Sequence, residues 1–169
     1  MKTGFCTCFL CCTWFSVIFP GMFRIGYGFD SHKLEPGTGI VLGGVVIPCE
    51  KSVLAHSDGD VVLHALTDAV LGAAAAGDIG DHFPDTDPVW KDAESSLFLE
   101  RAIKTAAGKG LAPVNCDITV IAPYPRLSSW KEKIRVGISD MLEIPVDRVS
   151  VKATTGKEQP SPTAAKESR

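Results

Sequence analysis

The sequence predicts a domain of the α/β or α+β class. Apolar stretches of strand period alternate along the chain with longer stretches of helical period. A length of 169 residues suits one domain. Hydrophobic residues make up 45% and charged residues 22%, which supports a packed core and excludes global disorder. The expected arrangement is a two-layer sandwich over residues 22–155, with helices on one face of a mainly β, mixed sheet.

Arg24–Phe29 reads as a strand with Ile25, Tyr27 and Phe29 on one face. Pro36–Gly39 is a loop, and Ile40–Ile47, interrupted by Gly43-Gly44, is a strand pair with a bend or bulge. Asp60–Ala76, rich in Ala and Leu and closed by Gly77, is a long helix. Asp78–Pro88 is a loop dense in Asp, Gly and Pro, and Ala93–Ala107 is a second helix. Asn115–Ala122 is a β-branched strand ended by Pro123 and Pro125. Ser128 caps a third helix over Ser129–Leu142, and Arg148–Ala153 alternates as a last strand.

Both ends stand apart from this pattern. Phe5–Phe19 is uncharged and mostly apolar, shorter than the ~20 residues of a membrane span and without a small-x-small cleavage site. A second start is available at Met22, and residues 1–21 are expected to lie outside the fold. Residues 156–169 are polar with two prolines and read as a disordered tail. Of six cysteines, Cys6, Cys8, Cys11 and Cys12 crowd this first segment without His or carboxylate partners. Cys49 and Cys116 read as isolated thiols of a reducing compartment. A net charge of -3 disfavours a nucleic-acid backbone as partner, and no membrane partner is expected.

Four groups can carry chemistry. Asp30-Ser31-His32 follows a strand, where period two puts Asp30 and His32 on one side, able to share a metal or simply to bond within a loop. His56-Ser57-Asp58-Gly59-Asp60 leads into a helix on which His64 lies one turn beyond Asp60; Ser57 could equally be a cap and Asp58 a dipole partner. Asp78-Ile79-Gly80 and Phe83-Pro84-Asp85-Thr86-Asp87 offer carboxylates to a hydroxylated ligand or a divalent ion, or form a solvated turn. Ala122-Pro123-Tyr124-Pro125-Arg126-Leu127 is a rigid turn that can present backbone groups to a flat base and Arg126 to phosphate. Gly-x-Gly-x-x-Gly, P-loop and Gly-x-Ser-x-Gly patterns are absent, so no Rossmann cofactor, NTPase or serine hydrolase is signalled.

Taken together, Arg-Ile-Gly-Tyr-Gly-Phe-Asp-Ser-His at 24–32, Leu-Gly-Gly-Val at 42–45, Ala-His-Ser-Asp-Gly-Asp-Val at 55–61, Leu-His-Ala-Leu-Thr-Asp-Ala at 63–69, Gly-Asp-Ile-Gly at 77–80, Phe-Pro-Asp-Thr-Asp at 83–87 and Val-Lys-Ala-Thr-Thr at 151–155 resemble the 2-C-methyl-D-erythritol 2,4-cyclodiphosphate synthase family. The resemblance covers Phe23 to Thr155. It implies a lyase of the non-mevalonate isoprenoid (terpenoid) pathway. The substrate is 4-diphosphocytidyl-2-C-methyl-D-erythritol 2-phosphate, whose own 2-phosphate displaces CMP. It implies zinc held by Asp30, His32 and His64, and magnesium or manganese on the diphosphate. By the same resemblance His56 and Ser57 belong to a loop over the phosphates, and Asp78, Ile79, Gly80, Phe83, Asp85 and Asp87 to the methylerythritol pocket. Ala122, Pro125, Arg126 and Leu127 belong to the cytidine turn, and Ala153, Thr154 and Thr155 to the diphosphate. His56 and Thr155 are implied as catalytic. A homotrimer with sites between subunits is implied, in a bacterial cytoplasm or, for a plastid-bearing source, a plastid.

The chain departs from the family pattern after Thr155. The family's metal-binding Glu stands where Lys157 stands here, and Glu158 comes one residue late. A closing strand is replaced by Gln159-Pro160-Ser161-Pro162, which is expected to leave a sheet edge open. These departures imply a weak or inactive synthase and keep a second reading open, a non-catalytic relative that binds metal or cytidine nucleotide. A metal-dependent phosphohydrolase is a third.

Overall fold

Two strands open the chain, β1 over Phe5–Ser16 and β2 over Phe23–Pro36. The computed structural model describes residues 5–16, 23–84, 86–90 and 93–155. The short strands β3 (Gly39–Leu42), β4 (Val45–Pro48) and β5 (Lys51–Leu54) follow, then helix α1 (Val61–Ala73) and a single turn, α2 (Ile79–His82). Helix α3 (Ser95–Ala107), strand β6 (Leu111–Ile121), helix α4 (Lys131–Leu142) and strand β7 (Val149–Thr154) complete the order. The main sheet runs β5-β2-β1-β6-β7, and β3-β4 is a separate hairpin. All pairings are antiparallel except β6 with β7. The class is the one the alternation predicts, with the helices in one layer against the sheet.

The N-terminal segment corrects an expectation. Phe5–Ser16 is the central strand of the main sheet, bonded to β2 from Phe5↔Lys33 to Phe15↔Phe23 and to β6 from Thr7↔Ile121 to Ser16↔Leu111. Two neighbouring backbones each offer a row of unpaired N–H and C=O groups, and twelve uncharged residues between them satisfy both rows. The edges of β2 and β6 that face each other are therefore paired. The four N-terminal cysteines fall on this strand, and residues 156–169 lie outside the described residues.

β2 is longer than predicted, because Asp30-Ser31-His32 continues the strand. Its burial alternates: Gly26, Gly28 and Leu34 face the helices, while Phe23, Ile25, Tyr27 and Phe29 face outward. α1 lies directly on the inner face. A Cβ at Gly26 would stand 1.7 Å from the carbonyl oxygen of Ala69, and one at Gly28 would stand 1.8 Å from that of Ala65. Only glycine at these two strand positions permits this approach. Around it Leu42, Ile47, Leu63, Leu66, Leu71, Leu99, Ile118, Ile134 and Ile138 are fully buried. At roughly 1.5–3 kcal/mol for each such side chain, this core outweighs any single polar contact described below.

Asp60 holds the start of α1. Its Oδ1 accepts from Val62 N at 3.0 Å, Leu63 N at 3.1 Å and Gly43 N at 2.9 Å, and its Oδ2 accepts from Gly44 N at 2.7 Å. Gly43 and Gly44 have φ of 59° and 75°, the positive pair of a two-residue hairpin turn. One buried carboxylate thus ties that turn to the helix. Burial pushes the Asp60 carboxyl up from its ordinary range, against the pull of these N–H groups.

Three departures from the sequence reading have a visible cause. α1 ends at Ala73, before Gly77, because Ala75 turns left-handed at φ 47° and the Lys109 ammonium takes the Ala74 and Ala75 carbonyls. α4 starts at Lys131 without a side-chain cap, since the Leu127 carbonyl accepts from the Trp130 and Lys131 N–H groups; Ser128 has no capping role. The predicted loop over 78–88 contains α2, capped reciprocally by Asp78 and Asp81.

The α1–β2 contact yields a paired prediction. Gly28→Ala must lift α1 off the strand and should cost about 3 kcal/mol or more. Gly72→Ala, on the same helix with nothing nearer than Tyr27 O at 4.0 Å, should gain about 0.5–1 kcal/mol. Urea unfolding of both variants at one protein concentration measures the contrast, and equal effects would refute the close-contact account.

Candidate metal centre and cleft

The side chains of Asp30 and His32 leave β2 on the face that carries Gly26 and Gly28. His64 lies on the first turn of α1, and the flush seating of that helix brings its ring down beside them. Asp30 Oδ2 is 3.0 Å from His64 Nδ1 and 3.0 Å from His32 Nδ1. Burial alone would raise the Asp30 carboxyl; the two imidazole rings beside it overcome this and hold the group well below the usual carboxylate range. His32 Nδ1 is buried and lacks a hydrogen-bond partner despite its proximity to Asp30.

These three residues fit a metal ion. One ligand atom from each lies within 4.8 Å of the others, and they form the only such group among the described residues. One carboxylate oxygen and two imidazole nitrogens suit zinc with a further position open. The unpartnered His32 nitrogen is the kind of buried polar atom that a cation satisfies.

The far ring nitrogen of His64 is held as well. Its Nε2 is 2.8 Å from Ser95 Oγ and 3.1 Å from Ser57 Oγ. Ser95 Oγ also bonds Asp58 Oδ1, and Ser95 N donates to Asp58 Oδ2 at 3.1 Å. Asp58 is thus bound to the start of α3 and, through Asp60 N at 3.2 Å, to the start of α1.

The three residues open onto a cleft of about 720 Å³. His56 and Ser57 stand on one side, Ile79, Gly80 and Phe83 on another. Phe83, Trp90 and Phe98 pack ring to ring, with centroids 4.6 Å apart for Phe83–Phe98 and 5.1 Å for Phe83–Trp90. Sequence reasoning missed Ser95, Trp90 and Phe98, which reach the site from segments with no motif of their own. Asp78 and Asp87 are exposed and serve the local backbone: Asp78 accepts from Asp81 N at 3.0 Å, and Asp87 from Val89 N at 3.1 Å. Asp85 lies outside the described residues.

The remaining predicted residues form a second group. Ala122 N donates to Thr154 O at 2.9 Å, which joins the Ala122–Leu127 turn to Ala153, Thr154 and Thr155 at the ends of β6 and β7. Ala122, Pro125 and Leu127 are buried, Arg126 is exposed, and none of this group lines the cleft at Asp30 within the chain.

A mixed α/β domain with a carboxylate–imidazole–imidazole centre beside an aromatic-walled cleft defines a candidate metal-dependent enzyme. The YgbB family model matches residues 23–168, and the chain belongs to that family. It is 49% identical over 134 residues to a 2-C-methyl-D-erythritol 2,4-cyclodiphosphate synthase of Bacillus cytotoxicus, across 79% of this chain and 85% of that protein. A solved structure of a 2-C-methyl-D-erythritol 2,4-cyclodiphosphate synthase superposes with a TM-score of 0.74 at 42% identity, covering 77% of this chain and 87% of that one. The Plasmodium falciparum IspF–CDP complex matches with a TM-score of 0.67 at 37% identity, over 78% of this chain and 80% of that one. Among the described residues, no helix is long and apolar enough to cross a membrane.

Elemental analysis tests the centre. The purified protein should carry about one zinc per chain, and the double variant His32→Ala, His64→Ala should carry none. Replacing Cys49 and Cys116, both free thiols, should leave the zinc in place. Stoichiometric zinc in the double variant would refute the assignment.

Proposed function

We propose that this chain is a zinc-dependent 2-C-methyl-D-erythritol 2,4-cyclodiphosphate synthase. It converts 4-diphosphocytidyl-2-C-methyl-D-erythritol 2-phosphate into the 2,4-cyclodiphosphate and CMP. The observation that carries this reading is the convergence of Asp30, His32 and His64 at the mouth of an aromatic-walled cleft, in a chain whose relatives bear that activity. In the reaction an oxygen of the substrate's 2-phosphate forms a bond to the β-phosphorus. The bond from that phosphorus to the bridging oxygen breaks, and its electron pair leaves with CMP. Both reacting groups are anionic, so charge neutralisation and in-line positioning supply most of the acceleration.

Zinc bound by Asp30, His32 and His64 supplies Lewis acidity and a fixed point for phosphate oxygens, and magnesium or manganese is the second cation of this reading. His56 and Ser57 hold the phosphates from the loop before α1. Ile79, Gly80 and Phe83 receive the methylerythritol, with Trp90 and Phe98 behind Phe83 excluding water. Ala122, Pro125, Arg126 and Leu127 hold the cytidine, and Ala153, Thr154 and Thr155 the diphosphate.

A homotrimer accounts for the separation of these two groups. The nucleotide group of one copy meets the cleft of the next. The outer face of β2 supports this arrangement: Phe23, Ile25 and Tyr27 are each 60% exposed in the single chain, and a soluble protein tends to cover such a face. The proposed compartment is the bacterial cytoplasm, or a plastid in a plastid-bearing source.

Lys157 favours a second reading, a relative that binds without turnover. In the family pattern a metal-binding Glu stands there, and a lysine ammonium 4 Å from a charge of the same sign is repelled by roughly 4 kcal/mol per unit charge at an effective dielectric of ~20. CMP release with zinc and magnesium decides between the two. Lys157→Glu should speed release about tenfold or more, while His32→Ala should abolish it. Tight binding of CMP with no release from either the original chain or Lys157→Glu would establish the second reading.

A further inference from the structure

We infer that Asp58 and Ser95 form a positioning relay that fixes the ring of His64 as its Nε2–H tautomer, leaving Nδ1 bare toward Asp30 and a metal. The inference rests on the metal reading of Asp30, His32 and His64, and it adds Ser95, to which no motif in the chain points, and a task for Asp58 beyond that of a dipole partner.

The direction of the bonds follows from donors and acceptors. Both carboxylate oxygens of Asp58 only accept when the group is ionised. Oδ2 receives Ser95 N–H at 3.1 Å, and Oδ1 receives Asp60 N–H at 3.2 Å together with the Ser95 hydroxyl. The single hydroxyl proton of Ser95 is therefore committed to Asp58. What Ser95 Oγ offers to His64 Nε2, 2.8 Å away, is a lone pair, so Nε2 must carry the proton. A neutral imidazole then has a bare Nδ1, and that atom faces Asp30 Oδ2 at 3.0 Å. Two acceptors facing each other are satisfied by a cation, which is what the unpartnered His32 nitrogen also calls for.

Ser57 Oγ is the competing partner, at 3.1 Å from the same Nε2. It already accepts from Gly59 N at 3.3 Å, and its own proton could point at a bare Nε2. Ser95 is closer and 0% exposed, and its hydroxyl proton is already taken, so it sets the polarity and Ser57 Oγ accepts as a second, longer partner. The relay spans three elements. Asp58 lies in the loop before α1, Ser95 is the first residue of α3, and His64 is on α1. A carboxylate behind the far nitrogen of a metal-binding histidine fixes its tautomer and raises its basicity; here a serine hydroxyl stands between them.

The test reads the tautomer directly and the metal affinity separately. Nitrogen-15 NMR of histidine-labelled, metal-free protein should show His64 protonated at Nε2. Zinc affinity, measured by competition with a chromogenic chelator, should fall about 10–100-fold in Ser95→Ala. Asp58→Asn offers a side-chain N–H in place of one acceptor, which turns the Ser95 hydroxyl toward His64. This variant should move the proton to Nδ1 and weaken zinc at least as much as Ser95→Ala. A proton on Nδ1 in the unmutated metal-free protein overturns the relay, whether or not either variant folds. Zinc affinity within about threefold of the original in a folded Ser95→Ala also overturns it. Failure of the unmutated protein to bind zinc would instead remove the metal reading, and the NMR result would still decide the relay.

Discussion

The seating of α1 on β2 governs the geometry of the site. Gly26 and Gly28 present bare backbone, and the carbonyls of Ala65 and Ala69 occupy the space that side chains would fill. The helix axis is thereby drawn closer to the strand than leucine or valine would allow. His64, one residue before Ala65, arrives within hydrogen-bond distance of Asp30, while Asp30 and His32 share a face through strand period alone. A centre made from two distant segments needs its supporting backbone to be rigid, and here backbone rests against backbone.

Two aspartates in one five-residue loop organise what surrounds that contact. Asp60 is fully buried and spends its carboxylate on four N–H groups, joining the Gly43-Gly44 turn to the helix start. Asp58 turns the other way and joins the loop to α3. Ahead of both, His56 and Ser57 line the cleft. The same loop thus carries two cleft-lining residues followed by two structural aspartates, so a motif read as one unit divides into separate tasks.

The sheet brings a different lesson. Phe5–Ser16 carries no charge and no motif, so its sequence alone names no partner for it. Paired between β2 and β6, it is an ordinary central strand. Its partners lie elsewhere in the chain, and β-structure is defined by those partners more than by local preference. Which segment fills a slot in a sheet is a non-local question.

Local pattern determined much of this protein. The alternation of strand and helix periods set the class, and Asp30-x-His32 set two candidate metal ligands on one face because side chains alternate along a strand. His64 was visible as the only histidine on its helix, and the motif order from Phe23 to Thr155 carried the family. Tertiary structure alone decided the rest. Ser95, Trp90 and Phe98 join the site through packing of α3 and the turn before it, with no spacing rule linking them to His64. Ser128 met the rule for a helix cap, yet the Leu127 carbonyl took the donors first. Asp78 and Asp87 each accept a backbone N–H two or three residues on, contacts that their acidity alone does not reveal. Residue types and short periods state what a side chain can do. Which partner it finds depends on distances that only the folded chain establishes.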